Sequence, residues 1–487
     1  MKQNSIIKDS QEKLNSKKNQ NNFNINIQDL NPLTPEIIIN QPTINISLFG
    51  NKEKGKTTLV QSLSVKLPSK MKGEKEPERI REKEKNISQE IGYINTKIYK
   101  CVKCYEPECY TSYNSEIETE LKCKICGNSL KLIRHISFID SPELNIKMVM
   151  LLNSNLISDG ALVLVSADDK EIADNNENKN NDNMIYDNAI LKNIIIVQNK
   201  IDLVMKKNNS AKEQYSQIKK FASNIKAQNS PIIPISAQLN YNLDILTQFL
   251  ISIPIPKRDL ISPPKFNIIH SFPFNHSLYE STTINKNFTL YGILSKGVLK
   301  LEDNIAILPG ICIRVNSNET KTYPIYGRIT MLQSEKNLMD YIIPGGMGNL
   351  GIFWGLDFNL ENDNLEGNIL SLVEKEGNIF TKLGVKCHLL RKLINIENKS
   401  FGKHLEYVTD IRKGELLLLN FDFNTVGGHV INVKGNNKDE IYFDLKKPMC
   451  VEISDKLIIS RKIGNFWRII GWGEVISDGD GDNFTTT

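Results

Sequence analysis

The chain has 487 residues, enough for about three domains at roughly 150 residues each. Its 61 Lys and Arg against 56 Asp and Glu leave a net charge of +5, compatible with an RNA partner but not diagnostic of one. No apolar run approaches the roughly 20 residues that a membrane span needs, and Asp9 and Glu12 with no apolar signal core argue against a targeting segment, so no membrane role and a cytoplasmic location are expected.

Residues 1–40 are rich in Asn, Lys, Gln and Ser and read as a disordered tail. A first domain is expected over 41–255. It opens with the apolar strand Ile44-Asn45-Ile46-Ser47-Leu48-Phe49, a glycine-bounded loop and a helix through Leu63. The loop carries G-x-x-x-x-G-K-[ST] from Gly50 to Thr57, with Glu53, Lys54, Gly55 and Thr58 around the bend. Glycines let successive backbone N–H groups turn inward on a phosphate, and the helix N-terminus adds its positive dipole end. Lys56 would then reach the β/γ-phosphates, and the Thr57 hydroxyl would ligate Mg²⁺.

Residues 66–85 are dense in both charge signs without an apolar period, so they read as solvated. They lead to Ser88, whose hydroxyl is the candidate to close on Mg²⁺ and the γ-phosphate. Five of the eight cysteines follow between 101 and 126. Cys101-x-x-Cys104 and Cys123-x-x-Cys126 have the spacing of a closed tetrahedral zinc knuckle, expected over 99–130. Cys109 is an alternative to Cys104 as ligand. Four thiolates leave no open position, so the site would be structural.

The next strand, 132–139, ends at Asp140, in place for the second carboxylate of a Mg²⁺ site. A buried strand at 161–166 precedes the polar block 168–183, read as an exposed loop. The strand from Asn193 to Gln198 ends in Asn199-Lys200-Ile201-Asp202. Asp202 there could accept from guanine N1–H and N2–H₂, which adenine lacks. The last strand of the domain, 231–235, ends in Ser236-Ala237-Gln238, whose backbone could meet guanine O6. These motifs fall in order at strand C-terminal ends, where an open parallel sheet binds ligands. Pro254, Pro256, Pro263 and Pro264 mark a linker. Short alternating apolar runs then predict two β-rich domains, 260–375 and 378–475, before an acidic tail at 476–487.

A P-loop domain with an inserted zinc knuckle and two β-barrels resembles the gamma subunit of eukaryotic and archaeal translation initiation factor two, an elongation-factor-Tu-like architecture. The resemblance covers about residues 30 to 475 and rests on sequence such as Ile91-Gly92-Tyr93, Ala211-Lys212-Glu213-Gln214-Tyr215, Lys296-Gly297-Val298-Leu299-Lys300 and Trp467-Arg468-Ile469-Ile470-Gly471-Trp472-Gly473. It implies binding of GTP or GDP with Mg²⁺ and Zn²⁺, and alpha and beta partner subunits. It further implies GTP-dependent delivery of initiator methionyl-tRNA to the small ribosomal subunit, with GTPase-activating and nucleotide-exchange factors. The resemblance places Asn86 and Tyr93 near the aminoacylated end of the tRNA.

The family's Asp-x-x-Gly-His is here Asp140-Ser141-Pro142-Glu143-Leu144. Losing the glycine removes a flexible pivot, and losing the histidine removes the group that orients the attacking water in related GTPases. No catalytic residue is therefore assigned, and slow or partner-dependent hydrolysis is expected. Lys52, Glu53 and Lys54 also depart from the family's P-loop, although its glycines, lysine and threonine remain. Two alternatives stand beside this reading. One is a non-hydrolysing scaffold subunit of the same complex. The other is an elongation-type carrier of aminoacyl-tRNA.

Overall fold

The computed structural model describes residues 32, 34–50, 53–64, 92–116, 121–140, 158–168, 193–204, 210–224, 229–273, 287–316, 319–335, 337–354, 365–375, 377–391, 393, 407–421, 424–435, 439–464 and 466–478. Within them the first domain runs α1 (Pro35–Asn40), β1 (Ile44–Phe49), α2 (Lys56–Leu63), β2 (Gly92–Cys101), β3 (Tyr110–Asn114), β4 (Leu130–Asp140), β5 (Gly160–Ser166), β6 (Ile194–Asn199), α3 (Ser210–Asn224), β7 (Ile232–Pro234) and α4 (Leu243–Ser252).

The short helix α1 corrects the expectation of a tail reaching residue 40. Proline fits its first turn, where an N–H would have no partner anyway, and Ile37 and Ile38 are buried at 2% and 4% exposure. The Ile38 carbonyl meets His135 Nδ1 on β4 at 2.9 Å.

The seven strands lie in the order β3-β2-β4-β1-β5-β6-β7. From β4 through β1, β5 and β6 to β7 the pairing is parallel, whereas β2 pairs antiparallel with both β3 and β4. Strands β1 and β5 are buried along their whole length, as central strands covered on both faces require. On one face Ile44, Ile46, Leu48, Ile136 and Phe138 pack with Leu59, Val60 and Leu63 of α2 and with Leu246 and Leu250 of α4. That packing fixes where the loops at the C-terminal ends of the parallel strands emerge.

The second domain contains β8 (Lys265–Pro273), β9 (Asn287–Lys296), β10 (Leu299–Lys300), β11 (Asn304–Asn316), β12 (Glu319–Ser334), β13 (Asn337–Leu338), β14 (Tyr341–Ile342), β15 (Met347–Trp354) and β16 (Ile369–Leu372). Its main sheet runs β11-β16-β8-β9-β15-β12-β13, and β11 also pairs with β12, which closes the ring. The third domain is a closed barrel, β17-β20-β19-β18-β21-β22, from β17 (Ile379–Leu389), β18 (Leu416–Phe421), β19 (Asn424–Lys434), β20 (Glu440–Cys450), β21 (Lys456–Ile463) and β22 (Phe466–Ser477). Closure removes exposed sheet edges. Strand β22 continues through Ile476 and Ser477, which the sequence reading placed in the acidic tail. Pairing of Ser477 with Gly384 holds them there.

The domains meet through specific polar contacts. Arg258 in the linker pairs with Asp159 at 2.5 Å, both largely buried, and the Asn45 N–H donates to the same carboxylate at 2.8 Å. Glu335, in the turn between β12 and β13, accepts from the Asn95 N–H of β2 at 3.1 Å. Burial raises the Glu335 carboxyl to about 7, with the Asn95 N–H opposing. Lys265–Asp455 and Lys296–Glu452, at 2.8 and 2.6 Å, join the second domain to the third.

Candidate nucleotide-binding site and metal centre

The loop after β1 curls because three of its described residues take the left-handed half of backbone space: Gly50 at φ 140°, Glu53 at 67° and Gly55 at 88°. Two are the glycines of the motif. The third, Glu53, is a strained position for a residue with a side chain, and the pattern does not reveal it. A Cβ on Gly50 would lie 2.6 Å from the Leu164 carbonyl oxygen, and one on Gly55 would lie 2.4 Å from Asn199 Nδ2. Conformation disfavours alanine at both positions; at Gly50 the backbone contact excludes it as well, and at Gly55 it would push aside the Asn199 amide.

Lys56 is buried in the first turn of α2, and its ammonium donates to the Gly50 carbonyl at 2.6 Å. One of its three N–H groups thus braces the loop from inside. Thr57 and Thr58, also in the first turn of α2, are exposed.

Asn199 organises the site. Its Nδ2 donates to the Lys54 carbonyl at 2.9 Å, and its Oδ1 accepts the Ala237 N–H at 3.1 Å. A single amide joins the P-loop, the end of β6 and the Ser236-Ala237-Gln238 segment. The Ala237 N–H, one of the groups expected to face guanine O6, is thereby engaged with Asn199. Ser62 of α2, which the motifs do not single out, donates to the Ala237 carbonyl at 2.7 Å. Ser236 is buried and Gln238 exposed. Lys200 adopts a left-handed backbone, φ 62°, and turns the chain into the short 3₁₀ turn that holds the half-buried Asp202. A second amide relay supports the floor: Gln198 donates to Gln214 at 2.6 Å, and Gln214 to the Ser166 carbonyl at 2.7 Å.

Asp140 is the last residue of β4, with Leu48 and Gly92 as its Cα partners on either side. Ser88 and Asn86 lie outside the described residues, as do Glu143 and Leu144. Tyr93 is described. Its hydroxyl is buried without a hydrogen-bond partner among the described residues, and burial raises its pKa.

The cysteine cluster lies at the far end of the β2–β4 pair. The Sγ atoms of Cys101, Cys104, Cys123 and Cys126 all fall within 4.8 Å of one another. Cys101–Cys126 and Cys104–Cys123 approach to 3.3 and 3.7 Å. Four sulfurs at a Zn–S distance near 2.3 Å would sit about 3.8 Å apart, so the donor set fits a tetrahedral Zn²⁺. Gly127 supplies the left-handed turn, φ 72°, after the second pair. Cys109 is buried, but its thiol is not among these four. Its carbonyl instead accepts the Cys101 N–H at 2.8 Å. Asn128, which the cysteine spacing does not reveal, donates to Cys126 Sγ at 3.0 Å and draws that thiol down to about 6.

Residues 41–256 match the family model described as the elongation factor Tu GTP binding domain. Residues 381–475 match the one described as the C-terminal part of initiation factor eIF2 gamma. Eukaryotic translation initiation factor 2 subunit gamma of Schizosaccharomyces pombe is 36% identical over 457 residues, covering 93% of this chain and 98% of that protein. Eukaryotic translation initiation factor 2 subunit 3 of Drosophila melanogaster is 35% identical over 458 residues, covering 93% and 92%. Among solved structures, elongation factor SelB of Methanococcus maripaludis, in complex with the GTP analogue GppNHp, superposes with a TM-score of 0.55 at 18% identity, over 90% of this chain and 80% of that one. A bacterial selenocysteine-specific elongation factor gives 0.56 at 17%, over 89% and 58%. At these identities the structural likeness speaks for a common fold.

Proposed function

Because this chain belongs to the family of eukaryotic translation initiation factor 2 gamma subunits, and so is a GTP-binding initiation-factor subunit, we propose that it carries initiator methionyl-tRNA to the small ribosomal subunit in the cytoplasm. Its alpha and beta subunits would complete the carrier, and exchange and GTPase-activating factors would act on it. The carrying observation is the Asn199 amide, which joins the P-loop to the Ala237 segment and so shapes one continuous nucleotide surface.

On this reading the P-loop N–H groups and Lys56 hold the β/γ-phosphates, and Asp202 accepts from the guanine edge. Lys54, Lys200, Ser236, Ala237 and Gln238 border the base and phosphate loops. Thr57, Asp140 and Ser88 would hold Mg²⁺, which neutralises phosphate charge when bound. Cys101, Cys104, Cys123 and Cys126 would hold a structural Zn²⁺. Asn86 and Tyr93 are assigned to the tRNA acceptor end. With Glu143-Leu144 in place of Gly-His, the chain binds GTP well and hydrolyses it slowly alone.

The test is equilibrium binding of GTP, GDP and ATP to the purified chain with Mg²⁺, then single-turnover hydrolysis on the same sample. Both guanine nucleotides should bind, with ATP about 100-fold or more weaker, because an unmatched base leaves Asp202 unpaired. Turnover should be negligible, and the double substitution Glu143→Gly with Leu144→His should raise it. Unchanged turnover would favour a scaffold subunit that keeps nucleotide as a fixed ligand. Absence of guanine-nucleotide binding would defeat the proposal.

A further inference from the structure

The nucleotide motifs assign no part to Ser62, which lies on α2 together with Lys56. At 1.5 Å of rise per residue it sits about 9 Å further along the helix than the lysine that braces the P-loop. Its hydroxyl has one hydrogen and two carbonyls within reach, Thr58 at 2.9 Å and Ala237 at 2.7 Å. The Thr58 carbonyl is already the acceptor of the helical ladder for the Ser62 N–H, four residues on. The hydroxyl hydrogen therefore belongs to Ala237, a residue buried at 2% exposure whose own N–H is taken by Asn199 Oδ1. Side chains from α2 and from the end of β6 thus hold both backbone polar groups of Ala237. The Ala237 carbonyl and the Gln238 N–H belong to one planar trans peptide, in which they point opposite ways. Drawing the carbonyl to α2 turns the Gln238 N–H away from that helix, on a residue that is exposed. Ser236 and Tyr241 exchange backbone bonds at 3.3 and 3.0 Å, so the loop that carries this peptide is closed on itself.

We propose that Ser62 is a positioning residue for base recognition: by holding the Ala237 carbonyl to α2, its hydroxyl aims the Gln238 N–H to serve as the donor for the guanine 6-oxo group. The inference rests on the guanine-nucleotide reading above and adds to it which backbone donor meets the base and what sets its direction. The Ala237 N–H is engaged with Asn199, so the next N–H along the chain takes that part. Without the Ser62 hydroxyl the peptide is free to rotate, and the 6-oxo group loses an aligned donor while the phosphate contacts of the P-loop stay as they are.

Equilibrium titration of the full chain with GDP and with 6-thio-GDP tests this. The thione is a weaker acceptor than the oxo group, and the N1–H and N2–H₂ of the base are kept. Ser62→Ala removes only the hydroxyl, and alanine suits the helix. GDP should bind the variant about fivefold more weakly, the worth of one neutral hydrogen bond, and 6-thio-GDP should lose less than about twofold. Ser62→Thr should restore the wild-type affinity for GDP. A merely structural role would weaken both nucleotides equally. That result, or an unchanged GDP affinity in Ser62→Ala, would overturn this inference alone. A wild-type chain that binds no guanine nucleotide would overturn the functional reading, and this inference with it.

Discussion

The nucleotide end of the first sheet and the cysteine end of the β2–β4 pair are both written as short spaced motifs, yet different forces hold them. At the nucleotide end the loops are already bonded to each other. Asn199 reaches Lys54 and Ala237, Ser62 reaches Ala237, and Lys56 reaches Gly50. At the cysteine end the backbone forms its own turn, with Cys123 N–H to the Asn128 carbonyl and Gly127 N–H to the Cys123 carbonyl. The four thiols, however, crowd on one another, and only Asn128 and the backbone of the second knuckle reach them among the described residues. The first region is assembled by the protein and read by its ligand. The second is an incomplete cage whose shape makes sense around a cation.

The largest effect that would test this contrast comes from the cage. Cys123→Ser should remove bound zinc, lowering its affinity about 100-fold or more, because one of four thiolates carries a sizeable share of the binding free energy. Cys109→Ser should leave the metal content of the purified chain unchanged. Metal analysis of both variants decides the ligand set, and zinc loss in Cys109→Ser would return that residue to the cage. Asn199→Ala should come next. Losing two hydrogen bonds that join three loops should weaken GTP and GDP binding about 30-fold, measured by titration. Its zinc content should not change. A variant that lost both ligands would show the two regions to be one cooperative unit.

The smallest effect lies between the regions, where Glu335 accepts from the Asn95 N–H of β2. Burial holds its folded pKa near 7, above the ordinary 4.5. Proton binding therefore favours the folded state, and this contribution is fully present below pH 4.5 and lost as pH rises through about 7. Ser115, Glu116, Lys97 and the Asn95 N–H are the groups that face the carboxyl. Glu335→Gln should flatten the pH dependence of the melting temperature over that window. The expected difference from wild type near pH 7.5 is about 2 °C. Parallel pH profiles for the two chains would exclude Glu335 as the source.

Much of this was legible in the sequence where chemistry depends on close spacing. The glycines around Lys56, the paired cysteines and the Asn199-Lys200-Ile201-Asp202 run each carry their meaning within a few residues. What spacing cannot show is which distant partners meet. Asn199 bonds the Lys54 carbonyl, and Glu335 finds Asn95, across long stretches of chain. Helix α1 was hidden for another reason. Its Ile37-Ile38-Ile39 run is a fair apolar signal, but it sits inside a long Asn- and Lys-rich stretch whose average composition outweighs it. Asn128 could have been found, since it follows the knuckle glycine and its amide can reach back to a thiolate.

Strand β2 runs from Gly92, opposite Asp140, to Cys101, opposite Leu130. The same antiparallel pair therefore ends in the cysteine cage at one side and in the candidate Mg²⁺ carboxylate at the other. A slip of this pair by one residue would turn Ile94 and Ile98 off the packed face and move every partner of β4. A cation held by the four thiols at the closed end would work like a dowel through two planks. It would fix how far one strand can slide along the other, and so where the last residue of β4 arrives.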